Sequence, residues 1–162
     1  MSKQIQEVCD LLNDMKINFK LTRHQAAYTV DEIEALHLPD EDVIAKNLFV
    51  RDDKKRQYYL LVVRKEKKVE LKALEQKLYS RRLSFASENE LNSILGLTKG
   101  SVTPFGIIHD DARKVKVIID STFKKSLIGI HPNENIATIW LQVTDLVRVI
   151  KEQGNDVEFV AF

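Results

Sequence analysis

Two β-rich runs, residues 45–50 and 57–63, stand on either side of the polar hexapeptide Arg51-Asp52-Asp53-Lys54-Lys55-Arg56. Branched and aromatic residues in short runs joined by a polar connection predict an antiparallel hairpin, which argues against a purely parallel, doubly wound sheet. Around this hairpin, helical and extended patterns alternate irregularly. Ile5, Val8, Leu11, Leu12 and Met15 recur at helical spacing, and Ile17, Phe19 and Leu21 then alternate as in a half-buried strand. Thr29 with Glu32 is a capping-box pattern that predicts a short helix over about residues 30–37, before Pro39. Leu71, Leu74 and Leu78 predict another helix, and Leu83 with Phe85 a short strand. Ser87 with Glu90 predicts a capped helix that stops at Gly96, and residues 99–106 read as a loop. Strands follow over 115–119, 127–130 and 136–141, then a helix over 146–150 that ends near Gly154. The expected fold is mixed α/β (α+β): a mixed or partly barrel-like sheet flanked by helices.

The 162 residues are 44% apolar, enough to close one core, and no Gly-, Ser- or Pro-rich stretch reads as a linker. One domain over residues 1–162 is expected, with 154–162 a C-terminal extension that fits either an added edge strand or a self-association surface. No apolar run approaches the roughly 20 residues of a membrane span, and the N-terminus has no apolar signal core, so a cytoplasmic protein with no membrane partner is expected. Cys9 is the single cysteine, which excludes an intramolecular disulfide and a Cys-cluster metal site. His24, His37, His109 and His131 show no HxH or HxxxH pair, so no metal is expected from spacing, while ligation by residues distant in sequence stays open. The glycine-rich fingerprints of dinucleotide and P-loop phosphate binding are absent, as is a GxSxG elbow, and no cofactor is expected.

Formal charge sums to +1 but is unevenly placed. Residues 31–42 carry six acidic residues and no basic one, whereas residues 51–68 carry eight basic and three acidic, a local excess of +5. That run reads either as a solvated hairpin tip or as a patch for a structured RNA backbone, with Tyr58 and Tyr59 nearby. Three further features suit chemistry. Lys46 opens the first hairpin strand, where an apolar neighbourhood requires an anionic ligand or a lowered pKa. Gly100-Ser101-Val102-Thr103-Pro104 is either a plain turn or a loop whose amides approach a ligand. His131-Pro132-Asn133-Glu134-Asn135 sets an imidazole and carboxamides at a strand end, to orient a ligand, act as a base or cap a turn.

Taken in order and spacing, Ala45-Lys46-Asn47-Leu48-Phe49-Val50-Arg51-Asp52, Leu83-Ser84-Phe85-Ala86-Ser87, the Gly100 to Pro104 loop with Phe105-Gly106, and Gly129-Ile130-His131-Pro132-Asn133-Glu134-Asn135 resemble the YbaK/ProX family of aminoacyl-tRNA editing domains, in particular its free-standing prolyl-tRNA deacylases. The similarity runs over about residues 5–153. It implies a compact mixed α/β fold and a trans-editing enzyme that hydrolyses the ester of mischarged tRNA(Pro), with alanine the expected amino acid and cysteine or another small residue the alternative. It implies Lys46 as the catalytic-site residue, Gly100, Ser101, Val102, Thr103 and Pro104 against the terminal adenosine and ester, His131 in the pocket wall, and Asn47 and His24 as further substrate-binding residues. Prolyl-tRNA synthetase or elongation factor are the implied protein partners. The segment Arg23-His24-Gln25-Ala26-Ala27-Tyr28-Thr29 departs from the family's His-Pro-Pro-Val-Phe-Thr-like pattern by lacking proline, which keeps the accepted amino acid open. The rival class is a non-catalytic module that binds tRNA or a synthetase. A DNA-binding regulator has no helix-turn-helix signature behind it, and no DNA partner is expected.

Overall fold

In the computed structural model, which describes residues 2–162, the hairpin forms where its pattern places it. Strands β2 (Ala45–Asp52) and β3 (Tyr58–Arg64) pair antiparallel, with Leu48 opposite Leu61 and Arg51 opposite Tyr58. Because side chains alternate along a strand, β3 feeds two cores: Tyr58, Leu60 and Val62 point into one, and Tyr59, Leu61 and Val63 into the other. All six are buried, so β3 has to be a central strand covered on both faces. It is the middle of a five-stranded mixed sheet ordered β4-β2-β3-β5-β8, where β4 is Leu83–Phe85, β5 is Val115–Asp120 and β8 is Val157–Val160.

The helices follow from their stripes and caps. Helix α1 (Lys3–Asp14) buries Ile5, Val8, Cys9 and Leu12 in the larger core, together with α4 (Glu88–Leu95) and α5 (Val143–Glu152). Helix α3 (Leu71–Leu78) sets Leu74 on the smaller one. The Ser87–Glu90 capping box is complete, and α4 stops at Gly96 with φ +65°. Thr29 caps α2 (Val30–Ala35) by accepting from the Glu32 amide at 3.1 Å, but the Glu32 carboxylate turns back to the Tyr28 amide instead of to Thr29, and the helix ends sooner than its pattern suggests.

Three features make the sequence expectation more definite. There are two sheets and no closed barrel: β1 (Lys20–Arg23), β7 (Ala137–Gln142) and β6 (Leu127–Ile130) form a separate antiparallel sheet ordered β1-β7-β6. The two sheets touch through an isolated bridge between Ile44 and Gly129, where a Cβ on Gly129 would lie 2.9 Å from the Ile44 side chain and from the Trp140 indole nitrogen. Second, a 3-10 helix at Pro104–His109 begins inside the expected loop, because the Thr103 hydroxyl accepts from the Phe105 amide and Pro104 suits the first turn. Third, of the two alternatives for the tail the structure forms the edge strand: β8 runs parallel to β5, and Phe162 packs on the smaller core. Asn155 anchors it by donating to Asp110 at 2.8 Å and to the Val115 carbonyl at 2.9 Å. Among the described residues no helix is long and apolar enough to cross a membrane.

Candidate active site

The seam between the two sheets opens into a cavity of about 580 Å3. One wall is the segment leading into α2, with Ala27, Tyr28 and Ile33; the floor is the start of β2, with Ile44, Lys46 and Asn47. Lys99, Gly100 and Val102 close one side, and Lys65 and His131 complete it. The cavity is thus mostly apolar with a few polar groups, the usual makeup of a small-molecule site.

Lys46 is held through its charge. Its Nζ donates to the carbonyl of Lys67, and Lys67 is fixed in turn by an ion pair to Asp120 at 2.9 Å. Asp120 is fully buried, and burial alone would push its carboxyl up; the Lys67 ammonium and the Thr122 amide and hydroxyl outweigh that and hold it below the usual carboxylate range. An anchored anion therefore stiffens the turn after β3, and that turn aims a neutral carbonyl at Lys46. Among the described residues no carboxylate pairs with the Lys46 ammonium.

The polar groups beside it are incompletely paired. Asn47 has its carboxamide oxygen buried without a partner. His131 is half-buried, and burial lowers its pKa below the ordinary histidine value. Its Nδ1–H donates to the Ala137 carbonyl at 3.0 Å, so the neutral ring presents Nε2 as an acceptor. The loop at residues 100–104 divides its labour. Gly100 (φ +87°) and Val102 face the cavity, and a Cβ on Gly100 would sit 2.4 Å from the Tyr28 ring, so glycine is required there for two reasons. Ser101, Thr103 and Pro104 are buried and stand outside the cavity lining. Thr103 donates to the His131 carbonyl at 2.6 Å, which ties the loop to the imidazole's strand.

His24 lies behind the site. Its Nδ1 donates to the Gln25 carbonyl at 2.7 Å, its Nε2 accepts from the Thr138 hydroxyl at 2.8 Å, and its ring centre is 6.3 Å from that of His131. Asn135 exchanges bonds with Ala27, its backbone carbonyl accepting at 3.3 Å and its side chain donating at 3.4 Å, so the His131 turn braces the α2-side wall.

The basic stretch at 51–68 is not one patch. Arg51 pairs with Glu90, Arg64 lies 3.9 Å over the Phe123 ring, and Lys67 pairs with Asp120. Tyr58 and Tyr59 are buried and offer no RNA a stacking surface. Sequence reasoning missed Lys65, Lys99, Ile33 and Ile44 as cavity residues, and Asp120 as the anchor, whereas Ala27, Tyr28 and Thr29 lie in the segment whose departure from the family pattern kept the accepted amino acid open. For Lys65 a signal existed: it directly follows β3, the strand paired with the Lys46 strand. Among the described residues no cluster of His, Cys, Asp or Glu has metal-binding geometry.

A family model described as the aminoacyl-tRNA editing domain matches residues 24–149. The prolyl-tRNA editing protein ProX of Acetoanaerobium sticklandii is 44% identical over 151 residues, spanning 93% of this chain and 92% of that protein. Prolyl-tRNA synthetase associated domain-containing protein 1 of Mus musculus is 30% identical, over 90% of this chain and 88% of its own length. A crystal structure described as a candidate trans-editing enzyme for prolyl tRNA synthetase superposes with a TM-score of 0.74 at 18% identity, covering 100% of this chain and 99% of the other; the likeness is one of fold.

Proposed function

The chain belongs to the aminoacyl-tRNA editing domain family, and from that premise we propose that it is a trans-editing deacylase for mischarged tRNA(Pro), with Ala-tRNA(Pro) as its substrate. The observation that carries this reading is that the Lys46 ammonium, the Gly100 backbone and the His131 ring line one cavity whose lining holds no cysteine or serine. Such a site suits attack by water. Water adds to the ester carbonyl, the oxygen of the tetrahedral intermediate gathers negative charge, and collapse breaks the bond to the ribose, whose oxygen takes a proton. The products are a free amino acid and a tRNA with its terminal hydroxyl restored.

Lys46 supplies positive charge where that negative charge develops, and the backbone of Gly100, a lining residue, shares the load; one such donor is worth about 10²–10³ in rate. The 2′ or 3′ hydroxyl beside the ester helps to orient the water. Asn47 Oδ1 and His131 Nε2 are acceptors, suited to an α-ammonium or to ribose hydroxyls. The apolar wall of Ala27, Ile33 and Ile44 takes a small side chain. Editing of this kind is needed because a proline pocket rejects the smaller alanine only by the missing methylenes, about 1–3 kcal/mol. A net charge of +1 favours modest affinity for the tRNA body, with prolyl-tRNA synthetase or elongation factor assisting delivery.

The test is deacylation of Ala-, Cys-, Ser- and Pro-tRNA(Pro) and of Ala-tRNA(Ala) by the purified protein and by Lys46→Ala. Loss of alanine from tRNA(Pro) alone, dependent on Lys46, is expected. Removal of cysteine or serine instead would replace the substrate, and folded protein that cleaves none of these esters would leave a binding module.

A further inference from the structure

The cavity lining contains three lysines, Lys46, Lys65 and Lys99, and no acidic residue, although the whole chain is nearly neutral. Low-dielectric walls around charge of one sign concentrate anions. Lys46 is occupied with the Lys67 carbonyl and with the reacting ester as proposed above. Lys65 has no such engagement. Its side chain is only 12% exposed, and the one carboxylate near it, Glu34, stands at 4.0 Å, the outer limit of an ion pair, and is itself half exposed. Lys99, on the rim, is 84% exposed and its contact with Glu88 is equally long at 3.9 Å. A largely buried ammonium with so weak a partner is costly unless a ligand completes it.

Resting on the editing reading, we propose that Lys65, assisted by Lys99 at the rim, forms a subsite for the phosphodiester that precedes the terminal nucleoside of a single-stranded RNA 3′ end. The chemistry of the substrate selects this anion. In an aminoacyl ester the amino acid's carboxyl is esterified and its amine is cationic or neutral, so the phosphates hold all of the negative charge. The ester sits at Lys46, so an anion at Lys65 belongs to the neighbouring phosphodiester. Lysine binds such a group as a point charge and tolerates any base sequence. The subsite thus registers the RNA end in the cavity without reading it.

The probes are the dinucleotide CpA, which carries the phosphodiester, adenosine, which lacks it, and inorganic phosphate, titrated against the whole protein by NMR or calorimetry at two salt concentrations. Wild-type protein should bind CpA at least about tenfold more tightly than adenosine, as one charged hydrogen bond suggests. That preference should weaken with salt. Lys65→Met, which keeps the packed stem, should abolish most of the preference, and Lys65→Arg should retain it. Lys68→Met, from the same basic run but 90% exposed, should change nothing. Glu34→Gln should strengthen CpA binding, because it removes the competing carboxylate. Equal binding of CpA and adenosine, no binding of CpA, or an unchanged preference in Lys65→Met would overturn the subsite. Inorganic phosphate bound as tightly as CpA would overturn its assignment to an RNA end. A CpA preference lost in Lys65→Met, in a protein that cleaves no aminoacyl ester, would leave the subsite standing and overturn the deacylase.

Discussion

Strand β2 carries two polar clusters along its length, and they are built in opposite ways. Toward its end, Arg51 meets Glu90, which accepts from the Tyr58 hydroxyl at 2.6 Å, from Arg51 at 3.1 Å and from the Ser87 amide at 3.0 Å. Burial alone would push the Glu90 carboxyl up, but these donors outweigh it and bring it down to about 2, while burial and the Glu90 contact push Tyr58 up to about 12. At the start of the strand, among the described residues, Asn47 has an orphaned oxygen, His131 Nε2 has no partner, and Lys65 is poorly paired. A saturated cluster ties α4 to the sheet. An unsaturated one, inside a cavity, has its hydrogen-bonding capacity in reserve for a ligand. The contrast separates groups that stabilise the fold from the groups proposed to meet substrate, at opposite ends of one strand.

The sharpest break of that contrast is at Lys46. Lys46→Ala should lower deacylation by at least about 10²–10³, or roughly 2.7–4 kcal/mol of transition-state stabilisation, while the unfolding free energy from urea titration changes by less than about 1 kcal/mol. An equal loss of stability would place Lys46 with the structural cluster. The mirror experiment is Glu90→Ala, which leaves the Tyr58 hydroxyl and the Arg51 Nε without their acceptor. Arg51 keeps its bond to the Asp52 carbonyl, so the change should cost about 2 kcal/mol of unfolding free energy and leave the rate per folded molecule intact.

Gly100→Ala comes next. A left-handed conformation and the Tyr28 ring both oppose a side chain there, so stability should fall by about 1–3 kcal/mol, and activity should fall further because the loop must shift away from the substrate. Asn47→Ala should be the mildest for stability, within about 0.5 kcal/mol, since its buried oxygen bonds to nothing in the protein; single-turnover kinetics should still show a slower reaction.

Acidity separates the clusters as well. The Glu90 carboxyl titrates near 2 in the fold against an ordinary 4.5, so its stabilisation is complete above about 4.5 and is lost as pH falls toward 2. Glu90→Gln should flatten that acid limb in a pH series of thermal midpoints. His131 acts earlier. Its folded pKa lies below the ordinary 6.5, so the unfolded chain takes up a proton first and stability declines as pH drops below that value. His131→Gln should remove the shallow decline without touching the Glu90 limb.

Much of the local structure was legible in the chain. The hairpin, the Ser87–Glu90 box, the Gly96 stop and the apolar stripes of α1 and α3 depend on residues within a few positions of one another, so period and cap chemistry suffice to find them. The resemblance also marked Lys46, Gly100, Val102 and His131, which the fold brings to one cavity. It marked His24, Ser101, Thr103 and Pro104 too, which the fold sets outside the cavity lining, because a linear motif does not separate a residue that lines a site from one that supports it.

The amino-acid sequence alone determined the hairpin, the mixed α/β class and the order of helices and strands, because each follows from periodicities and caps read over one or two turns. The tertiary structure decided the rest. It neutralised Arg51 with a carboxylate 39 positions away and Lys67 with one 53 positions away, dispersing a basic run that looked continuous. It added the C-terminal tail to the sheet in parallel beside β5, and left Lys65 in the cavity with scarcely a partner. Which charges are cancelled and which stay available depends on pairings between distant strands, and these are settled only when both cores close.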